Sequence, residues 1–183
     1  MGPVTYPERI TGEVGTYERW DPPRHEAAFV ELCADAEVMR FLGGPQPPAV
    51  SREISRVIAD HWTSFGFGLW ACLHGDRCFG FSGACRPGPQ WDEAFPGEVE
   101  IGWRLARAAW GRGFATEGAR LALAAGAQQL GLERMVAFVD PDNDRSQAVV
   151  RRLDMGRLTT TVNARLGAPV DVFAITLPQA QAA

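Results

Sequence analysis

A mixed α/β fold, α+β in its blend of hairpins and crossovers, follows from three features of the 183-residue chain. A strand pattern at 98–104 runs through a glycine-rich turn into a helix. Two apolar runs flanking the turn from His74 to Arg77 read as an antiparallel hairpin. Strands, crossover helices and hairpins alternate, with no internal repeat and no linker that would split them. The expectation is a single domain spanning 1–183.

Residues 1–10 read as a loose lead, and Val14 to Trp20 as a first strand. Pro22 and Pro23 open a helix through Cys33. Asp35 is placed to cap a short helix through Val38, Met39, Phe41 and Leu42, which Gly43, Gly44 and Pro45 stop. Val50, Ile54, Val57, Ile58, His61 and Phe65 recur on one helical face. The hairpin strands are Phe67 to Leu73 and Cys78 to Cys85. Pro87 to Gly97 is a polar loop whose Asp92 and Glu93 read as a solvated rim. Later come a strand from Leu132 to Asp140, a helix from Asn143 to Leu153, and closing strands at Leu158 to Leu166 and Val170 to Leu177. The tail from Pro178 reads as frayed.

Composition narrows the function. Apolar residues make up 46% and charged residues 22%, the balance of a soluble globular protein. A net charge of −4 argues against nucleic acid, which needs a basic face. No run approaches a membrane span and no signal peptide is visible, so a cytoplasmic protein with no membrane partner is expected. Cys33, Cys72, Cys78 and Cys85 form no C-x-x-C pair, and His25, His61 and His74 lack zinc spacing. Free thiols and no metal are expected. His61 reads as a packing residue and His74 as an exposed turn residue.

The organising stretch is 98–129. Val99, Ile101 and Trp103 alternate with Glu98, Glu100, Gly102 and Arg104. After Trp110-Gly111-Arg112-Gly113-Phe114-Ala115-Thr116-Glu117, residues Ala119, Ala122, Leu123, Gly126 and Leu130 repeat at helical spacing. Glycines at a strand-to-helix turn let a ligand approach the backbone, and the helix start offers free N–H groups and a positive dipole end. That is a phosphate cradle, with Arg112 as a mobile cation beside it. A tight connection with no ligand is the structural alternative.

These two runs resemble the acetyl-CoA signature of the GNAT N-acetyltransferases, most closely the RimJ/RimL-like branch. Gly113 and Ala115 fit the last two places of its Gln/Arg-x-x-Gly-x-Gly/Ala pattern, and Trp110 stands where Gln or Arg is usual. Asp35 to Leu42 resembles the branch's D-P-E-V-M-R-x-L run, which borders the acceptor pocket. Asn143 to Ser146 resembles the N-x-x-S helix start. The resemblance covers about 14–177. It implies a mixed, mostly antiparallel sheet of about seven strands flanked by helices and splayed between the central strand and the one at Met135. It implies acetyl-CoA as cosubstrate, held by Trp103, Arg104, Leu105, Gly111, Arg112, Gly113, Phe114, Ala115, Thr116, Asn143 and Ser146. The implied reaction moves an acetyl group to a primary amine, on a small molecule or a protein N-terminus, by direct attack. The protein would act as a monomer or homodimer.

The amine needs a base and the leaving thiolate a donor. Glu98 and Glu100, two apart on a strand, share a face, and near each other and partly buried one of them is expected to titrate high. Glu100 best fits the family's E-I-G-Y/W pattern and is the candidate base; a salt bridge of either glutamate to Arg104 or Arg134 is the alternative, and water a third. Some family members place a Tyr seven residues after the Asn as the acid. Here that position is Val150, which leaves Ser146 or water. Asn143 also reads as an N-cap. Asp154 stands where the family has a turn glycine. A non-catalytic acyl-CoA-binding sensor or scaffold is the binding-class alternative, favoured by Val150 and opposed by the paired carboxylates. A nucleotide-binding α/β domain lacks a P-loop lysine and the full dinucleotide fingerprint.

Overall fold

In the computed structural model, which describes residues 5–88 and 94–178, the chain begins as a hairpin of β1 (Arg9–Thr11) and β2 (Thr16–Arg19). The three-residue β1 lies in what reads from sequence as a loose lead. It brings the strands among the described residues to eight. Asp92 and Glu93 lie outside the described residues.

Helix α1 (Pro22–Ala34) starts on its two prolines, whose missing N–H groups cost nothing at a helix start. Asp35 then caps α2 (Ala36–Met39), its carboxylate accepting from the Glu37 and Val38 amides. Helix α3 (Pro48–Phe65) is rotated from the face its apolar residues suggest, keeping Ile54 and Ile58 against the core. Val57 is 59% and Phe65 51% exposed, while Ser51, Ser55, Ile58 and Trp62 are buried. The polar residues are tolerated because they are bonded: the Trp20 indole N–H donates to Ser55 Oγ at 3.0 Å, and Ser51 Oγ to the Pro47 carbonyl. His61 is a packing residue; its ring nitrogens meet the Phe67 carbonyl and the Arg86 amide.

Strands β3 (Leu69–His74) and β4 (Arg77–Cys85) form the expected hairpin, followed by β5 (Glu100–Leu105). A short 3₁₀ turn (Arg107–Ala109) leads to α4 (Phe114–Gln129), then β6 (Arg134–Val139), α5 (Asp144–Arg152), β7 (Gly156–Asn163) and β8 (Ala168–Thr176). The sheet runs β1-β2-β3-β4-β5-β6-β8-β7. Every pairing is antiparallel except that of β5 with β6, which is parallel and holds a single Cα pair, Glu100 with Val136. Beyond Glu100 the two strands part.

Helix α4 lies on the sheet through small residues. Ala119, Ala122 and Gly126 are buried, and a Cβ at Gly118 would stand 2.7 Å from both Ser82 and Tyr17. That close approach fixes the helix start over β4. Trp20, Trp70, Tyr17, Phe29 and Phe114 are the largest fully buried rings. Each contributes roughly 1.5–3 kcal/mol by burial. The helix exit at Asp154 takes φ +56°, the left-handed conformation a glycine would take there. The chain therefore leaves α5 in the glycine geometry without the glycine. The four cysteines are free, and no described helix is long and apolar enough to cross a membrane.

Candidate active site

Where β5 and β6 part, a cleft of about 1250 Å³ opens. One wall is β5. Alternation along a strand sends Glu100, Gly102 and Arg104 to one side and Ile101, Trp103 and Leu105 to the other. The β6 side of the strand past Glu100 has no strand partner among the described residues, so it offers backbone groups to an occupant.

The floor of the cleft is the start of α4. The Trp110 indole donates to the Leu105 carbonyl at 2.8 Å, which ties the loop to the end of β5. Gly111 (φ +72°) and Gly113 (φ +94°) both take left-handed conformations that the sharp turn requires. Gly113 stands at the N-cap with no side-chain cap, and the Glu117 amide is the first to bond back, to the Gly113 carbonyl at 2.9 Å. The amides of Phe114, Ala115 and Thr116 are thus free of helical partners and sit at the positive end of a sixteen-residue helix. Gly111, Gly113, Phe114, Ala115 and Thr116 all line the cleft. Arg112 does not: its guanidinium lies 5.4 Å from the Phe79 and Phe114 ring centres, stacked away from the place expected of it.

Cations nonetheless surround the floor, on residues the sequence reading passed over. Arg120, Arg145 and Arg152 line the cleft. The Arg145 guanidinium sits 3.9 Å over the Trp110 ring, and Arg120 Nη2 donates to the Arg152 carbonyl. Their spacing carries a signal: Arg120 is one turn beyond Thr116 on α4, and Arg145 and Arg152 are two turns apart on α5.

Two residues of the next helix meet β5. Trp103 Nε1 donates to Ser146 Oγ at 3.2 Å. The Asn143 side chain accepts from the Ser146 amide at 3.2 Å and caps α5, as its position suggests. Because Ser146 Oγ accepts from the indole, its own O–H remains to donate into the cleft. Val150 is fully buried in the core and offers no proton.

Glu100 is half-buried on the opposite side of β5. Burial pushes its carboxyl up to about 7, against the pull of the Arg104 charge. Of the two causes that the sequence offers for a raised value, burial and a second carboxylate, burial is the one at work on Glu100. Glu98 precedes the strand and is ion-paired with Arg134 instead. The Arg104 side chain points to the Glu100 side, where Nη1 meets Cys33 Sγ at 3.4 Å and the guanidinium lies between Phe29 and Phe81, so only its backbone faces the open β6 side of the strand. Leu105 is buried, with its carbonyl engaged by Trp110. Cys85 also lines the cleft, and burial pushes its thiol well up, so it carries little thiolate at neutral pH. Among the described residues no cluster of His, Cys, Asp or Glu is arranged to hold a metal.

A further residue was missed as a functional candidate. The Glu117 carboxylate accepts from the amides of Glu13, Val14 and Gly15, in the β1–β2 turn. It pins that turn across the mouth of the α4 cradle, where Gly12, Glu13 and Val14 line the cleft.

A model of the acetyltransferase (GNAT) domain matches residues 18–156. The chain belongs to the GNAT acetyltransferase family. It is 32% identical over 127 residues to the uncharacterized protein YkkB of Bacillus subtilis (strain 168), covering 69% of this chain and 73% of that one. In fold, this GNAT domain matches an acetyltransferase from Agrobacterium tumefaciens str. C58 with TM-score 0.76 and 24% identity, over 91% of this chain and 93% of the other. It also matches RimL, a ribosomal L7/L12 α-N-protein acetyltransferase in complex with coenzyme A, with TM-score 0.71 and 14% identity over 92% and 97% of the two chains. The mixed, mostly antiparallel sheet flanked by helices is the family architecture.

Proposed function

We propose that the protein is an acetyl-CoA-dependent N-acetyltransferase acting on a primary amine by direct attack. The observation that carries this is the juxtaposition, across one strand, of a helix-start cradle and a half-buried carboxyl that titrates near 7. Acetyl-CoA fits the cleft in three respects. Unpaired amides and arginines suit its phosphates, the open edge of β5 suits its amide-bearing arm, and the Ser146 hydroxyl suits its sulfur. Trp103, Leu105 and Asn143 then serve by backbone or by holding Ser146.

Glu100 is the base. An ammonium must lose a proton before its nitrogen attacks the thioester carbon, and a carboxyl near 7 is poised to take it, directly or through water. The C–N bond forms, the C–S bond breaks, and Ser146 or a water donates to the departing sulfur. We assign it to the RimJ/RimL-like branch on the resemblance of the runs Glu98 to Leu105 and Trp110 to Glu117, supported by the Asp35 to Leu42 run, which borders the cleft at Glu37, Val38, Phe41 and Leu42.

Calorimetric titration with acetyl-CoA, followed by an amine screen for CoA release, tests the reading. No binding overturns it. Binding with no turnover of any amine would favour the sensor alternative, to which Val150 points by standing where some family members place a tyrosine acid.

A further inference from the structure

On the Glu100 side of β5 the cleft holds cations that no part of the reaction above uses. Arg104 is half-buried, and its Nε is shut off from solvent with no partner. Its other contacts are a thiol and two aromatic rings. Arg165, from the turn between β7 and β8, also lines the cleft and lies close enough to Arg104 for the two charges to repel. Its side-chain bond is to the Leu42 carbonyl at 3.4 Å. Neither guanidinium is ion-paired with a carboxylate among the described residues. Two like charges held together, one of them partly desolvated and short of a hydrogen bond, are costly unless an anion joins them.

The strand spaces this anion site from the base. Glu100 and Arg104 are four residues apart on one face, roughly 13 Å at Cα. Between them is Gly102, where an added Cβ would stand 3.6 Å from the Glu100 carboxylate and 3.9 Å from Leu69. A glycine there leaves an open gap flanked by a carboxylate at one end and guanidinium groups at the other. The gap is narrow at its outer rim. Arg165 bonds Leu42, and a Cβ on Gly43 would stand 2.9 Å from Leu166. The turn after α2 and the β7–β8 turn thus meet, which suits a small molecule better than a polypeptide.

We infer that the acceptor is a small amino carboxylate: its amine lies at Glu100 and its carboxylate is gripped by Arg104 and Arg165. This rests on the acetyltransferase reading above and narrows it. Arginine forks bind carboxylates in paired hydrogen bonds, and a site built for such a group rejects the analogue lacking it. Polyamines, which present only positive charge, are disfavoured by the same two arginines.

The test is a set of matched acceptors: α-, β- and γ-amino acids, each beside its carboxamide and its decarboxylated amine, assayed for CoA release. Acetyl-CoA binding is followed separately by calorimetry. The expected result is kcat/KM about 10-fold or more higher for the best carboxylate-bearing amine than for its two analogues, carried mainly by KM. Arg165→Ala, at an exposed position that leaves folding intact, and Arg104→Met should each shrink that preference while acetyl-CoA affinity holds. A protein that binds acetyl-CoA but acetylates the decarboxylated amines equally well, or acetylates no carboxylate-bearing amine, overturns the inference and leaves the cofactor reading standing. A preference that survives in Arg165→Ala and Arg104→Met also overturns it. Loss of acetyl-CoA binding in the unaltered protein refutes the parent reading instead.

Discussion

The Trp103 indole and the Ser146 hydroxyl meet across the cleft at 3.2 Å, the one on the central strand and the other in the first turn of α5. The indole can only donate, so the hydroxyl must accept from it and is left with its own hydrogen to give. That leaves the Ser146 O–H available to a sulfur in the cleft. In Ser146→Ala we expect turnover to fall about 10-fold or more, with a smaller rise in the apparent KM for acetyl-CoA. Trp103→Phe should move turnover in the same direction by less. Steady-state kinetics decide it; an effect confined to KM would make Ser146 a cosubstrate contact only.

Glu100 sets a pH dependence. As the base it works only when ionised, so kcat should rise with pH through about 7 and level off above. Glu100→Gln should lower turnover by about 10²- to 10⁴-fold near neutrality and recover part of it at high pH, where free amine is more abundant. Glu98→Gln should cost less, since Arg134 already holds that carboxylate. Near wild-type turnover in Glu100→Gln would move the base elsewhere.

The same carboxyl affects stability. Its folded value lies above its ordinary 4.5, so the fold holds its proton more tightly than the unfolded chain does. Stability should therefore decline as pH rises from about 4.5 to 7 and stay flat beyond, by up to about 3 kcal/mol for this group. Glu100→Gln should unfold at a higher temperature than the wild type at pH 8 and lose that advantage at pH 4. Calorimetric scans at the two pH values would show a constant difference if the burial were inconsequential.

Gly113→Asp places a branched anionic side chain at φ +94°, with its Cβ 3.2 Å from Val14, where the cradle amides face the cleft. Acetyl-CoA affinity should drop at least about 10-fold, from the combined strain and charge. Unchanged binding by calorimetry would remove the cradle from the site.

Glu117→Gln tests the clasp on the β1–β2 turn. A charged acceptor serving three amides is worth about 2 kcal/mol. The loss should lower Tm by roughly 4–8 °C for a chain of this size. Limited proteolysis should also cut the 12–15 turn sooner. An unchanged Tm would mean that water satisfies those amides equally well.

Much of this site is legible along the chain because it is local. The strand, the two glycines and the helix start form one run, and the Asp35 and Asn143 caps need only their next three residues. What escaped depends on distant partners. Ser51 and Ser55 lie outside the apolar set that spacing picks out on α3, and Trp20, whose indole bonds the buried Ser55, lies 35 residues away. Two adjacent glutamates suggest mutual repulsion as well as burial behind a raised Glu100 value, and only the packed structure shows that burial alone supplies it while Glu98 turns to Arg134. The guanidinium of Arg112 rests on Phe79 and Phe114, rings that spacing along the chain does not bring to it, while Arg120, Arg145 and Arg152 converge only once α4 and α5 pack side by side. The clasp of Glu117 spans more than a hundred residues and leaves no mark in spacing.

The single Cα pair joining β5 to β6 has a mechanical meaning. Five strands lie on one side of that seam and three on the other, so the sheet is two plates meeting at one rivet. A molecule lying along the open edge would act as a second fastener, and its departure would let the plates breathe again. Amide hydrogen exchange across 101–105 and 137–139 should then slow when the cleft is filled, far more than in the hairpin of β3 and β4, which is sewn along its length whatever the cleft contains.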